Sequence, residues 1–178
     1  MATLPLIDPN TATEPAAGLL AAVQKSLGVT PNMTKAMANS PALLKGYLQL
    51  SAALSEGALP VATRERIALA VAQGNSCGYC LAAHSYLAEH VGGLGAAEIA
   101  SARKSDSTDP KAAALLTFAT AVNDKRGEVT EADLEAVRSA GATDEEIAET
   151  IGHVALNVLT NYFNKAADVD IDFPVVEV

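Results

Sequence analysis

The chain has no tryptophan, two cysteines and three histidines in 178 residues, and aromatic residues make up only 4% of it. A core built on large rings is therefore excluded, and packing has to come from aliphatic side chains. At 49% hydrophobic content these suffice for one compact domain without staples. Positive charge is also scarce: 12 Lys and Arg against 21 Asp and Glu give a net charge of −9. That balance argues against a nucleic-acid backbone or an anionic membrane surface as partner. No run approaches the roughly 18 apolar residues of a membrane span, and the opening "MATLPLIDPN" lacks the basic and apolar regions of an export signal. The expected location is the cytoplasm. There a Cys-x-x-Cys pair is catalytic, redox-active or metal-bound more often than it is a structural disulfide.

What is abundant is alanine and leucine, punctuated by glycine and proline where helices would start or stop. The pattern predicts an all-α fold with helices near 15–27, 32–39, 41–56, 61–73, 77–91, 95–104, 110–125, 130–139 and 143–167. Several boundaries carry their own chemistry. Ser40-Pro41 and Asp109-Pro110 pair a capping residue with proline at the first helical position, and Gly57 is expected to stop the helix that Ser40 starts. Thr143 with Glu146 spells a capping box, and Thr130 with Asp133 a weaker one. The tail "DFPVVEV" is apolar enough to need a packing surface. At an offset of 80, "TRERIALA" (63–70) superposes on "TDEEIAET" (143–150), and the same register carries Cys77, Cys80 and His84 onto Asn157, Thr160 and Asn164. This is compatible with a degenerate duplication and with chance likeness between two capped amphipathic helices.

Both cysteines and one histidine fall in "GNSCGYCLAAH", Gly74 to His84. Helical i, i+3 neighbours have Cα atoms about 5 Å apart, inside the roughly 4.4–6.8 Å range a disulfide tolerates, so Cys77 and Cys80 can join without moving the fold. His84 is the i+4 neighbour of Cys80, which favours Cys80 as the partner of the imidazole. The breaker and capping residues Gly74-Asn75-Ser76 predict a helix starting at or just before Cys77, where free amides and the helix dipole favour thiolate, and this favours Cys77. A fall in cysteine pKa from about 8.5 to about 6.5 would raise the thiolate fraction about twenty-fold at neutral pH. Glu65, twelve residues upstream, has Ala68, Leu69 and Ala72 at i+3, i+4 and i+7 and so lies on an apolar stripe. A carboxylate there needs a partner, either an arginine or a histidine of the next helix whose tautomer it would fix.

Glu65, eleven residues, Cys77, two residues, Cys80, three residues, His84 resembles the Glu-x11-Cys-x2-Cys-x3-His signature of the alkylhydroperoxidase D family, within the carboxymuconolactone decarboxylase-like superfamily. The flanks "MANSPALLKGYLQLSAAL", "RERIALAVAQGNSCGYCLAAH" and "EEIAETIGHVALNVLTNYFNKAADVDIDFP" are similar to its peroxidase-related branch, so the resemblance covers about 32–174, with 1–31 as an N-terminal helical extension of a single domain. It implies an all-α orthogonal bundle of two degenerate related halves, assembled as a homo-oligomer, a trimer or hexamer. It also implies thiol-dependent reduction of hydroperoxides without metal, haem or other cofactor, regenerated by an external dithiol or protein reductant. Carried over, Cys80 is the peroxidatic thiol, Cys77 the resolving thiol, and Glu65 and His84 the proton relay. Tyr79 departs from members that carry histidine before the second cysteine.

Other readings of the same residues are a general dithiol–disulfide oxidoreductase, a redox-responsive protein, a decarboxylase-type member, and a zinc site in which His90, His153 or Glu65 joins Cys77, Cys80 and His84. His90 reads as a surface or packing residue and His153, within "IGHVALNV", as a core or interface histidine. Tyr162 and Phe163 read as core or subunit contacts.

Overall fold

A computed structural model describes residues 3–178 of the chain. Among them every regular element is a helix: α1 (Ala16–Leu27), α2 (Asn32–Met37), α3 (Pro41–Ser55), α4 (Val61–Gly74), α5 (Gly78–His90), α6 (Ala96–Ala102), α7 (Pro110–Asp124), α8 (Glu131–Ser139) and α9 (Asp144–Ala166). All nine stand within a residue or two of the boundaries expected from the sequence. The caps explain why. Ser40 Oγ accepts from Leu43 N at 3.3 Å, and one carboxylate oxygen of Asp109 accepts from Lys111 N and Ala112 N at 2.9 and 3.2 Å. Thr130–Asp133 and Thr143–Glu146 both form complete capping boxes.

Two local expectations are corrected. The helix expected to begin at Cys77 begins at Gly78; Cys77 is extended, with φ −97° and ψ 95°, and caps it. Gly57 is not the residue that stops α3, which ends at Ser55 with Glu56 as its cap. Gly57 instead leaves room for Glu149 of α9, whose carboxylate would collide with any Cβ placed there. That carboxylate accepts from the free amides of Ala58 and Leu59 at 2.7 and 2.9 Å.

Helix α4 is the centre of the bundle and packs against α5, α6, α7 and α9. Its buried side chains include Ile67, Leu69 and Val71, each at 1% exposure or less. At roughly 1.5–3 kcal/mol for each such aliphatic side chain, this burial holds α4 firmly in place. Phe118, Leu115 and Leu116 of α7 are enclosed in the same core. Helix α3 differs: despite its apolar sequence only Leu44 is fully buried. The tail after Val169 forms no helix or strand, and Phe173 and Val176 pack onto the core, which meets the need its composition created. No helix among the described residues is long and apolar enough to cross a membrane.

Candidate active site

The chain turns sharply between α4 and α5, with Ser76 in the left-handed region at φ 51°. Side chains from elsewhere hold this turn. Asn75 Nδ2 donates to Asn123 Oδ1 and to Asn161 Oδ1, both at 3.1 Å, and Lys165 Nζ donates to Asn75 O at 2.6 Å. A single left-handed residue costs on the order of 1–3 kcal/mol, so such surroundings are what keeps it there. The turn brings Cys77 to the head of α5, where its sulfur occupies the place a capping oxygen usually takes and accepts from Cys80 N at 3.3 Å. Cys77 and Cys80 form a disulfide, with Cα atoms 5.3 Å apart. Both residues are almost wholly buried. Cys80 Sγ accepts from Nδ2 of Asn164 on α9 at 3.3 Å.

Glu65 on α4 meets His84 on α5 within one chain, with Oε2 2.8 Å from Nδ1. Neither neighbouring arginine competes: Arg64 donates to the carbonyls of Leu54 and Ser55 at the end of α3, and Arg66 pairs with Glu98 of α6 at 2.8 Å. The carboxylate accepts a hydrogen bond from Nδ1–H, which leaves Nε2 as the nitrogen with a free lone pair. Glu65 and His84 open onto a cavity of about 180 Å³, also lined by Tyr47, His153, Asn157 and Thr160. Burial, and then the Glu65 carboxylate, pushes the Tyr47 phenol up to about 12, so it can donate a hydrogen bond but cannot serve as a base near neutral pH. His153 is buried and its Nε2 has no hydrogen-bond partner. Burial, and then the nearby Arg64 charge, lowers its pKa and holds it neutral.

The sulfur pair has a second face. Cys77, Gly78 and Tyr79 line a cleft of about 340 Å³ with Asn164, Lys165 and residues 168–171. Thr160 and Asn164, one turn apart on α9, line the cavity and the cleft respectively.

Residues 41–108 match the profile of the Carboxymuconolactone decarboxylase family, a stretch that contains Glu65, Cys77, Cys80 and His84. Solved structures superpose over nearly the whole chain. The alkylhydroperoxidase AhpD core protein from Ralstonia eutropha JMP134, described as peroxidase-related, has a TM-score of 0.86 at 24% identity and covers 96% of this chain and 92% of its own. The chain carries a carboxymuconolactone decarboxylase family match over 41–108 and shares the AhpD-like fold along nearly its whole length. It is also similar to a peroxidase-related protein from Silicibacter sp. TM1040, with a TM-score of 0.81 at 25% identity over 95% of this chain and 91% of the other. The debrominase Bmp8, solved as its C82A variant with 2,3,4-tribromopyrrole, shares the fold with a TM-score of 0.78 at 18% identity, over 97% of this chain and 94% of its own. No curated protein matches the chain. These likenesses support a peroxidase-related or decarboxylase-type function at the level of the family, on a scaffold that also carries a debrominase.

The four signature residues lie on two adjacent helices, Glu65 on α4 and the others at the cap and along α5. Tyr79 is directed away from the Glu65–His84 pair. Its hydroxyl donates to Asp172 Oδ1 at 2.8 Å and accepts from Met33 N at 3.2 Å, so it anchors the tail and α2. Burial and the Asp172 carboxylate push its pKa well above the usual tyrosine range. His90 is exposed and stacks on Tyr86, whereas His153 joins the candidate site. Tyr162 is 60% exposed and lies outside the core, while Phe163 is half-buried. Among the described residues no three His, Cys, Asp or Glu side chains converge as a metal-ligand group. Asn157, Thr160 and Asn164 also line the cavity and the cleft, and the signal for them in the sequence is the offset of 80, which sets polar residues on the cysteine and histidine positions.

Proposed function

We propose that the chain is a thiol-dependent peroxidase that reduces hydroperoxides through a Cys77–Cys80 dithiol–disulfide cycle. The observation that carries this reading is the 2.8 Å contact between Glu65 and His84, four residues from Cys80 and opening onto a cavity of substrate size. Glu65 orients the imidazole and supports its positive charge, so His84 can take the Cys80 thiol proton and return a proton to the departing oxygen. The Asn164 N–H bonded to Cys80 Sγ and the nearby amides of the α5 head favour a thiolate there.

Cys80 thiolate attacks the terminal peroxide oxygen, the O–O bond breaks, and alcohol or water leaves with the proton from His84. Cys80 is now a sulfenic acid. Cys77 thiol displaces hydroxide from that sulfur, which departs as water with the thiol proton, and the disulfide forms. An external dithiol restores both thiols and is itself oxidised to its disulfide. Tyr47 and the neutral His153 line the same cavity, and in this reading they hydrogen-bond oxygens of the hydroperoxide. Assembly as a homo-oligomer belongs to the same reading; the poorly buried apolar α3 and the exposed Ile151 and Tyr162 on α9 support it, and light scattering measures it.

The test is consumption of cumene hydroperoxide and hydrogen peroxide with dithiothreitol as reductant. The wild type is expected to turn over repeatedly, Cys80→Ser not at all, and Cys77→Ser to oxidise once and stop. Wild-type turnover no faster than that of Cys80→Ser would reject the peroxidase reading. Disulfide exchange without peroxide consumption would leave a dithiol oxidoreductase in its place.

A further inference from the structure

We propose that the 340 Å³ cleft at the head of α5 is the entry site of the dithiol reductant, that its thiolate attacks Cys77, and that the tail 170–178 is a cover it displaces. The site deepens the peroxidase reading and takes its biological purpose from it. Its geometry stands apart from that reading.

Both cysteines are almost wholly buried, at 1% for Cys77 and 3% for Cys80, but they differ in position. Cys77 lines the cleft, whereas Cys80, whose Sγ accepts from Asn164 Nδ2, lines neither the cleft nor the Glu65–His84 cavity. A thiolate entering by the cleft therefore meets Cys77 first. Its lone pair forms a bond to Cys77 Sγ while the Cys77–Cys80 bond breaks, and the electron pair leaves on Cys80. The departing charge lands on the sulfur that the Asn164 N–H and the first turn of α5 stabilise, and a low-pKa leaving thiol speeds exchange. The reductant's second thiol loses its proton to solvent and attacks the reductant sulfur of the mixed disulfide. Cys77 is released as a thiol and the reductant leaves as its own disulfide. The Glu65–His84 cavity and the reductant cleft thus lie on different sides of the cysteine pair, and α5 and α9 contribute to both, with His84 and Thr160 on the cavity and Tyr79 and Asn164 on the cleft.

The tail lies against this entry. A Cβ at Gly78, the first residue of α5, would touch Val178 Cγ2 at 3.4 Å and Ile171 Cδ1 at 3.7 Å. Asp172 holds the tail down by accepting from Tyr79 Oη and from Asn32 N, both at 2.8 Å, and Phe173 packs edge-on against the Tyr79 ring with centroids 5.9 Å apart. A segment without helix or ladder, held by a few hydrogen bonds each worth about 1 kcal/mol net and by the half-buried packing of Phe173 and Val176, can lift while the bundle stays folded.

The experiment starts from the disulfide form of the full chain and needs no peroxide. In the first arm 2-mercaptoethanol attacks the wild-type disulfide, acid stops the reaction early, free thiols are alkylated, and peptide mass spectrometry locates the adduct. The mercaptoethanol is expected on Cys77 with Cys80 alkylated; an adduct equally or mainly on Cys80 overturns the assignment. In the second arm free-thiol counts follow reduction by dithiothreitol in wild type, Asp172→Ala and Tyr79→Phe. Loosening the cover is expected to speed reduction about fivefold, the order of one net hydrogen bond, while the oxidation rate of the reduced protein by peroxide stays unchanged. Reduction no faster than wild type in Tyr79→Phe, which keeps the ring packing, overturns the cover even if Asp172→Ala folds poorly. Loss of peroxide turnover with a Cys77 adduct would reject the peroxidase reading alone.

Discussion

Two regions related by the offset of 80 have met opposite fates. At residues 63–86 the chain breaks: α4 ends at Gly74, Ser76 takes a positive φ, and α5 starts afresh behind Cys77. At 143–166 a single helix, α9, runs 23 residues through the matching register without a break. The break creates a helix N-terminus, with its free amides and positive dipole end, at the sulfur pair. The continuous helix offers no such terminus. What it presents at the matching positions is Asn157, Thr160 and Asn164, all buried, on the walls of the cavity and cleft. One region holds the reactive groups and the other surrounds them with neutral hydrogen-bonding side chains. Charge follows the same division. Arg66 on α4 reaches Glu98, whereas its counterpart Glu146 on α9 reaches Lys111.

The comparison breaks most severely at Glu65. Glu65→Gln keeps a group of the same shape but removes the charge that supports a protonated His84. Peroxide turnover is expected to fall by about 10²-fold, the lower range for general acid–base catalysis, with a changed pH profile of kcat/KM. Steady-state rates from pH 5 to 9 check this; an unchanged profile would return Glu65 to a purely structural part. Asn164→Leu probes the supporting region. It removes the N–H bonded to Cys80 Sγ, and oxidation by peroxide is expected to slow about tenfold with a raised Cys80 thiol pKa, read from the pH dependence of iodoacetamide alkylation. Unaltered alkylation would mean that α9 only packs.

A smaller effect distinguishes the two ion pairs. The Ser107 hydroxyl and then the Arg66 guanidinium hold the Glu98 carboxyl at about 2, against its usual 4.5. A lowered folded-state value means the stabilisation is complete above pH 4.5 and lost as pH falls towards 2. Glu98→Gln should therefore lower the urea midpoint at pH 6 but change it little at pH 2.5. Ser40→Ala, which deletes the cap of α3 and touches no titratable group, should cost about 1 kcal/mol at both pH values. Equal pH dependence in the two variants would contradict the shift at Glu98.

The places where sequence reasoning went astray share a cause. Gly57 carries the signal of a helix stop, yet its small size serves a carboxylate from ninety residues away. Tyr79 sits between the cysteines, where related chains can carry histidine, and its hydroxyl is committed to Asp172. For both the partner lies about ninety residues along the chain. His153 is buried, as expected of a core histidine, but its Nε2 has no partner and the residue lines the Glu65–His84 cavity. The caps at Ser40, Asp109, Thr130 and Thr143 were legible because donor and acceptor are two or three residues apart.

By itself the sequence determined the nine helices of the described residues, the reach of Cys77 to Cys80 and the i+4 relation of His84 to Cys80. All of these follow from the fixed rise and repeat of a helix and from capping chemistry that acts within one turn. Only the tertiary structure decided that Glu65 meets His84 in one chain, that Asn164 reaches Cys80 from 84 residues away, and that the tail lies over Gly78. Such contacts depend on how helices pack around the buried face of α4. No local spacing encodes that arrangement, because the apolar burial that drives it is non-directional.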